Sequence, residues 1–90
     1  MSLYQPSESF LRSQRFRTDD EAIDHRFRFY KRSMPNTDGH WVGIHAKPGV
    51  RTMAEFDSRN MPVGTYEIAS DRDILFALAG RRELTPLALQ

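Results

Sequence analysis

The sequence predicts a small α+β domain, with an antiparallel sheet of about three strands and two or three short helices on one face. Apolar and polar residues alternate on both sides of a turn cluster at 35–39, as they do in a β-hairpin. Sequences typical of helix N-caps begin at Thr18, Thr52 and Ser70. The chain has 90 residues, of which 39% are hydrophobic and 28% charged, so it has room for one modest core.

The chain divides into three segments. Residues 1–17 contain Pro6 and apolar residues without a clear period, which favours an extended N-terminal arm. Residues 18–82 form the single α+β domain. Residues 83–90 form an apolar C-terminal tail interrupted by Pro86, which suits either a lid on the core or a contact with a partner.

The hairpin is predicted from residues 26–32 and 40–47, which flank the turn cluster. Residues 26–33 are also compatible with a helix, because Ile23, Phe27, Tyr30 and Met34 recur at helical spacing. The alternation of arginine with aromatic residues, followed by a turn, favours a strand.

A basic and aromatic face follows from the pleat of this hairpin. If Phe27 and Phe29 point inward with Val42, Ile44 and Ala46, the remaining side chains point outward. The outward set, which we predict to bind a partner, comprises Arg26, Arg28, Tyr30, Arg32, Trp41, His45 and Lys47.

Two capping boxes predict helices before and after the hairpin. Thr18 is followed by acidic residues, so a short helix is expected to begin there. Pro48 and Gly49 fit the central positions of a type II turn that ends the second strand. A second helix is expected from Thr52 to about Asn60. Its core-facing residues would be Met53 and Phe56.

The last two predicted elements are a strand and a helix. Residues 65–68 alternate and predict a short strand with Tyr66 and Ile68 inward. The helix that follows Ser70 is expected to bury a stripe consisting of Ile74, Leu75, Leu78 and Ala79. Gly80 and the arginines after it are typical of a helix end.

The sequence predicts no catalytic, cofactor-binding or metal-ligating residues. The absence of cysteine excludes disulfides and thiol chemistry. His40 and His45 would point to opposite faces of a strand, so they do not form a shared metal site. Asp38 near His40 is better explained by a turn, and Asp71 with Asp73 by a helix N-cap, than by catalysis or metal binding.

We therefore predict a non-enzymatic binding protein that acts through protein–protein interaction with a larger protein or protein assembly. Examples are a phage- or mobile-element-type inhibitor and an accessory subunit. The alternative is a small RNA- or DNA-binding protein that uses the same hairpin face. The net charge is only +1, but seven Arg and Lys against four Asp and Glu lie between Ser9 and Met34.

A cytoplasmic location without membrane contact is expected, since no apolar run approaches the length of a membrane span. The sequence predicts no oligomeric state.

Overall fold

The computed structural model describes residues 3–19 and 27–87, which form a six-stranded antiparallel sheet and two short helices. The elements in chain order are α1 (Glu8–Ser13), β1 (Arg17–Thr18), β2 (Phe29–Ser33), β3 (Trp41–His45), β4 (Thr52–Phe56), β5 (Pro62–Glu67), α2 (Asp71–Leu78) and β6 (Thr85–Pro86). The strands lie in the sheet in the same order. The expectation of a sheet of about three strands with two or three helices on one face is therefore wrong.

The predicted hairpin is formed by β2 and β3, but the pleat of β2 is the reverse of the one expected. Tyr30 pairs with Ile44 on the inner face and is only 1% exposed. Phe29 pairs with His45 on the outer face. Because Phe29 and Tyr30 are adjacent aromatic residues, either one could face the core, and the choice reverses the whole strand.

Residues 52–56 form the strand β4 and not the expected helix. Met53 and Glu55 point to the core, while Thr52, Ala54 and Phe56 point to the outer face. Glu55 would support a capping box in a helix, but in the structure it is a buried strand residue. Its side chain is bonded to groups that lie far away in the sequence, so no local pattern could indicate its burial.

The helix predicted after Ser70 is confirmed as α2, but its buried stripe differs from the expected one. Ile74 and Ala77 are fully buried, whereas Leu75 is 40% exposed. Asp73 turns inward, where it accepts a hydrogen bond from the backbone N–H of Ala69 and pairs with Arg82. The strand predicted at 65–68 corresponds to β5, which begins three residues earlier, at Pro62.

The expected extended arm contains α1, so its predicted conformation is wrong at residues 8–13. The helix ends in a Schellman motif: Arg15 N–H bonds to the carbonyl of Arg12, and Phe16 N–H bonds to that of Leu11, each at 3.0 Å. Leu11 and Phe16 are both buried in the core. Arg15 has a φ of 68°, in the left-handed region that costs a residue other than glycine about 1–2 kcal/mol.

The helix expected to begin at Thr18 falls mainly on residues 20–26, which lie outside the described residues. Thr18 itself lies in β1, where it pairs with Tyr30. In the predicted tail, β6 pairs with β5, and Leu84 packs against the core. The division of the chain at 17/18 and 82/83 stays a prediction.

The core lies between the inner face of the sheet and the two helices. Its buried apolar residues form one cluster, consisting of Leu11, Phe16, Tyr30, Met34, Val42, Ile44, Val50, Met53, Tyr66, Ile68, Ile74 and Ala77. The turn at Pro48 and Gly49 has the expected geometry, with a φ of 76° at Gly49 and a 3.3 Å bond from Val50 N–H to the carbonyl of Lys47.

Within the described residues, neither helix has the length and apolar character needed to cross a membrane.

Candidate binding surface

Four ring side chains form a row on the outer face of the sheet: Phe29, Trp41, His45 and Phe56. Trp41 stacks on Phe56 with ring centroids 4.0 Å apart. Phe29 meets Trp41 edge-to-face at 6.3 Å and lies 4.8 Å from the His45 ring. These cross-strand contacts stabilise the sheet and hold the aromatic row in a fixed arrangement.

Gly43 makes room for the centre of this row. It lies between Trp41 and His45 on β3, and the Phe29 ring covers it so closely that an added Cβ would overlap the ring. Gly43 is buried because the Phe29 ring covers it. A glycine is therefore required here for the Phe29 ring to occupy this position.

The aromatic row lies on the opposite face of the sheet from the core. Both α1 and α2 contribute their buried residues to the inner cluster, so neither described helix covers the row. Its four side chains are half-buried. The outer face thus presents fixed aromatic surface, a feature common at the centres of binding interfaces.

Cations lie at the β1 end of the aromatic row. The Lys31 ammonium lies 5.5 Å from the centre of the Trp41 ring and 3.4 Å from a carboxylate oxygen of Asp19. Arg17 is opposite Lys31 in the β1–β2 register, so both side chains lie on the outer face. The row is therefore apolar at its centre and basic at this edge.

A basic cleft of about 870 Å³ begins beside Trp41. Its lining consists of Arg15, Arg17, Lys31, Arg32, Ser33, Met34, Thr37, Gly39, His40, Trp41 and Asn60. Within the described part of the chain, no Asp or Glu lines it. The cleft therefore combines several positive groups with hydroxyl, amide and indole groups.

Arg32 is fixed in the wall of this cleft by the backbone. One terminal nitrogen donates to the carbonyl of Gln14 at 2.7 Å, and Nε donates to the carbonyl of Ser33 at 2.9 Å. Burial, together with the positive charge of Arg15, lowers the pKa of Arg32. The side chain is oriented by neutral acceptors, which leave its charge uncompensated.

His40 links the cleft to the core through a chain of hydrogen bonds. Its Nδ1 lies 2.8 Å from one oxygen of Glu55, and the Tyr66 hydroxyl donates to the other oxygen at 2.7 Å. Burial, and then the bond to Glu55, raise the pKa of Tyr66. Because both oxygens of Glu55 are engaged, this carboxylate anchors the imidazole and the hydroxyl.

The structure separates the residues predicted to bind a partner. Trp41 and His45 lie on the outer face as expected, but Tyr30 is in the core, so its predicted outward orientation is wrong. Arg32 shares the inner side of β2 with Tyr30 and reaches the basic cleft. This orientation also differs from the expected one.

Two other predicted binding residues, Arg28 and Lys47, lie outside the strands. Arg28 precedes β2, and its guanidinium is 3.7 Å from a carboxylate oxygen of Glu8. Lys47 lies in the loop after β3. Arg26 lies outside the described residues. Whether these residues contact a partner stays a prediction.

Sequence reasoning missed five residues that carry the proposals made for this surface: Phe29 and Phe56 in the aromatic row, and Arg15, Arg17 and Lys31 in the cleft. Phe29 was assigned to the wrong face, and Phe56 to the core face of a helix. No local pattern marks the two arginines, because Arg15 adopts a left-handed conformation after the helix and Arg17 lies in a strand of two residues.

The described residues contain no group of three or more His, Asp or Glu side chains that could hold a metal ion. The expectation that the protein has no catalytic or cofactor residues stays a prediction.

Comparison of the chain with protein-family models, with curated proteins and with solved structures found no match. The functional interpretation therefore rests on the geometry of the outer face and the cleft.

Proposed function

We propose that this is a non-enzymatic protein that binds another protein through the outer face of its sheet. The observation that carries the proposal is the aromatic row, which is fixed by cross-strand contacts and left uncovered by α1 and α2. Tryptophan and other aromatic residues at the centre of an interface supply most of the binding energy in many complexes.

The expected partner surface is apolar at its centre and acidic at one edge. Arg17 and Lys31 lie at the β1 edge of the aromatic row and would face that acidic edge. Charges at the rim of an interface mainly accelerate association and select the partner, while the buried rings determine how long the complex lasts.

A chain of this size with one such face suits a cytoplasmic protein that occupies a surface on something larger. An inhibitor of the type encoded by phages and mobile elements fits this description, as does an accessory subunit of an assembly. Neither setting requires reaction chemistry from the chain itself.

The test compares three forms of the full-length chain in affinity capture from source-cell extract, each with and without nuclease. Trp41→Ala removes the centre of the row, whereas Leu75→Ala removes an exposed leucine from α2 as a matched control. We expect wild type and Leu75→Ala to retain one protein after nuclease treatment.

With that protein purified, Trp41→Ala should weaken its binding by about 30-fold, as expected for a hot-spot aromatic residue. A thermal melt of Trp41→Ala establishes that the variant folds. Loss of the captured protein on nuclease treatment would contradict the proposal. Equal binding by wild type and by folded Trp41→Ala would also contradict it.

A second candidate function is binding of single-stranded nucleic acid, which the position of the basic cleft beside Trp41 favours. Arginine and lysine would neutralise phosphates while bases stack on exposed ring surface. Fluorescent single-stranded RNA titrated at two salt concentrations tests it. Sub-micromolar affinity at physiological salt would favour this candidate, and loss of binding there would leave protein binding as the better proposal.

A further inference from the structure

We propose that the basic cleft is a binding site for a phosphate group, either of free phosphate or of a nucleotide. The cleft shares Arg17, Lys31 and Trp41 with the proposed protein-binding surface. Binding of a phosphate group is a different activity, so the inference goes beyond the proposed function.

The cleft concentrates positive charge. Some arginines outside the cleft are paired with acids, as Arg12 is with Glu8 and Arg82 with Asp73. In the cleft, Arg15, Arg17 and Arg32 have no ion pair to any described residue, and only Lys31 has a carboxylate nearby. Like charges brought together without compensation suit an anion that enters from solvent.

The backbone orients two of these cations, Arg15 and Arg32. Arg15 occupies the position after the C-cap of α1, where the left-handed conformation normally selects glycine. Arg32 is held by the carbonyls of Gln14 and Ser33 and not by an acid. A strained arginine and a fixed arginine thus line the same cleft. This is the type of preorganisation found in binding sites.

The volume and the lining of the cleft suit a nucleotide. A volume of about 870 Å³ exceeds what a phosphate group needs and leaves space for a nucleoside. Trp41 lines the same cleft, and a base could stack on its ring by displacing Lys31 from the face that Phe56 leaves open. The lowered pKa of Arg32, caused by burial and by the nearby charge of Arg15, is consistent with positive charge that lacks an anion.

The experiment is a calorimetric titration of the full-length protein with inorganic phosphate and with adenosine monophosphate at low salt. We expect both probes to bind. Arg15→Gly should weaken both by about tenfold or more, since a charge-assisted hydrogen bond is lost. Arg81→Gln removes an exposed charge outside the cleft and should leave both affinities unchanged.

Arg15→Gly also separates binding from folding. Glycine adopts a φ of 68° without strain, so the variant should melt at the same temperature as wild type or higher. Weaker binding in a protein that is no less stable supports the site. Arg17→Gln offers a second variant on a different element and should weaken both probes as well.

Comparison of the probes distinguishes the sources of the phosphate. Equal affinities identify a site for the phosphate group alone. Tighter binding of adenosine monophosphate, reduced by Trp41→Ala to the level of phosphate, identifies a nucleotide site.

The proposal is overturned if neither probe binds, if Arg15→Gly and Arg17→Gln bind as wild type does, or if only a long oligonucleotide binds. The last result would indicate diffuse attraction to a polyanion. None of these readouts involves the protein partner, so failure here leaves the proposed function intact.

Discussion

Replacing Ile74 or Leu75 by alanine tests the orientation of α2, because these adjacent residues have opposite environments. Ile74 is fully buried in the core, whereas Leu75 is 40% exposed. Each change deletes the same number of carbon atoms. For Ile74, the lost transfer energy is about 2.4 kcal/mol at about 0.8 kcal/mol per carbon. The cavity left in the core brings the expected loss to about 2–5 kcal/mol.

For Leu75→Ala we expect a loss of about 1 kcal/mol or less, since part of the side chain is already in water. Both variants gain slightly in helix propensity, so this contribution largely cancels. Urea melts with an unchanged m-value measure the difference. In thermal melts, a difference of about 1.5 kcal/mol between the two variants corresponds to a difference in melting temperature of at least about 6 °C for a domain of this size. Equal losses for the two variants would refute the assigned orientation of α2.

Three further predictions concern the outer face, the buried carboxylate and the turn after β4. Gly43→Ala should force the Phe29 ring away from β3 and lower the free energy of unfolding by about 0.5–2 kcal/mol, after the gain in backbone entropy is included. The displaced ring should change the near-ultraviolet circular dichroism spectrum. An unchanged spectrum would contradict the contact between Gly43 and Phe29. Tyr66→Phe should lower the free energy of unfolding by about 1.5–3 kcal/mol at neutral pH, because Glu55 loses a hydrogen-bond donor. In wild type, this contribution to stability should also be lost as the pH rises through the raised pKa of Tyr66. Alkaline melts of the variant should not show that loss. Backbone N–H groups in its turn lower the pKa of Asp57, so its contribution to stability is present above the unfolded pKa of 3.8 and is lost as the pH falls through the folded pKa. In acid melts, the stability of Asp57→Asn should therefore fall less steeply with pH than that of wild type. Parallel curves for the two proteins would contradict this prediction.

The sequence predicted the parts of the fold that local patterns determine. Val42 and Ile44 alternate with outward residues on β3, and the expected inner face was confirmed. The turn at Pro48 and Gly49 and the presence of α2 were also confirmed, because each depends on a few adjacent residues.

The missed parts depend on contacts between distant residues. Glu55 belongs to a strand because His40 and Tyr66 satisfy its carboxylate, and neither is close to it in the sequence. The two-residue strands β1 and β6 are too short to show a period. Such elements are recognised only once their neighbours are known.

The residues of the candidate site also divide into those that a local pattern predicts and those that it does not. Trp41 and His45 could be placed on the outer face from the alternation of β3 alone. The cleft could not be predicted, because the turn that brings Arg15 to it has an arginine where glycine would have marked the end of the helix.

The order of the strands has a consequence for folding kinetics. Each strand of the described sheet pairs with the strand before or after it in the chain, and short loops join β2, β3, β4 and β5. These four strands can therefore form hairpin by hairpin at a low cost in loop closure. The bond from the Tyr4 hydroxyl to Asp71 joins residues 67 positions apart and closes a far longer loop. We expect the sheet to form quickly and the N-terminal segment to dock onto α2 last. In stopped-flow experiments that follow the fluorescence of Trp41, Tyr4→Phe should therefore accelerate unfolding and leave the refolding rate unchanged, and slower refolding would show that the segment docks early.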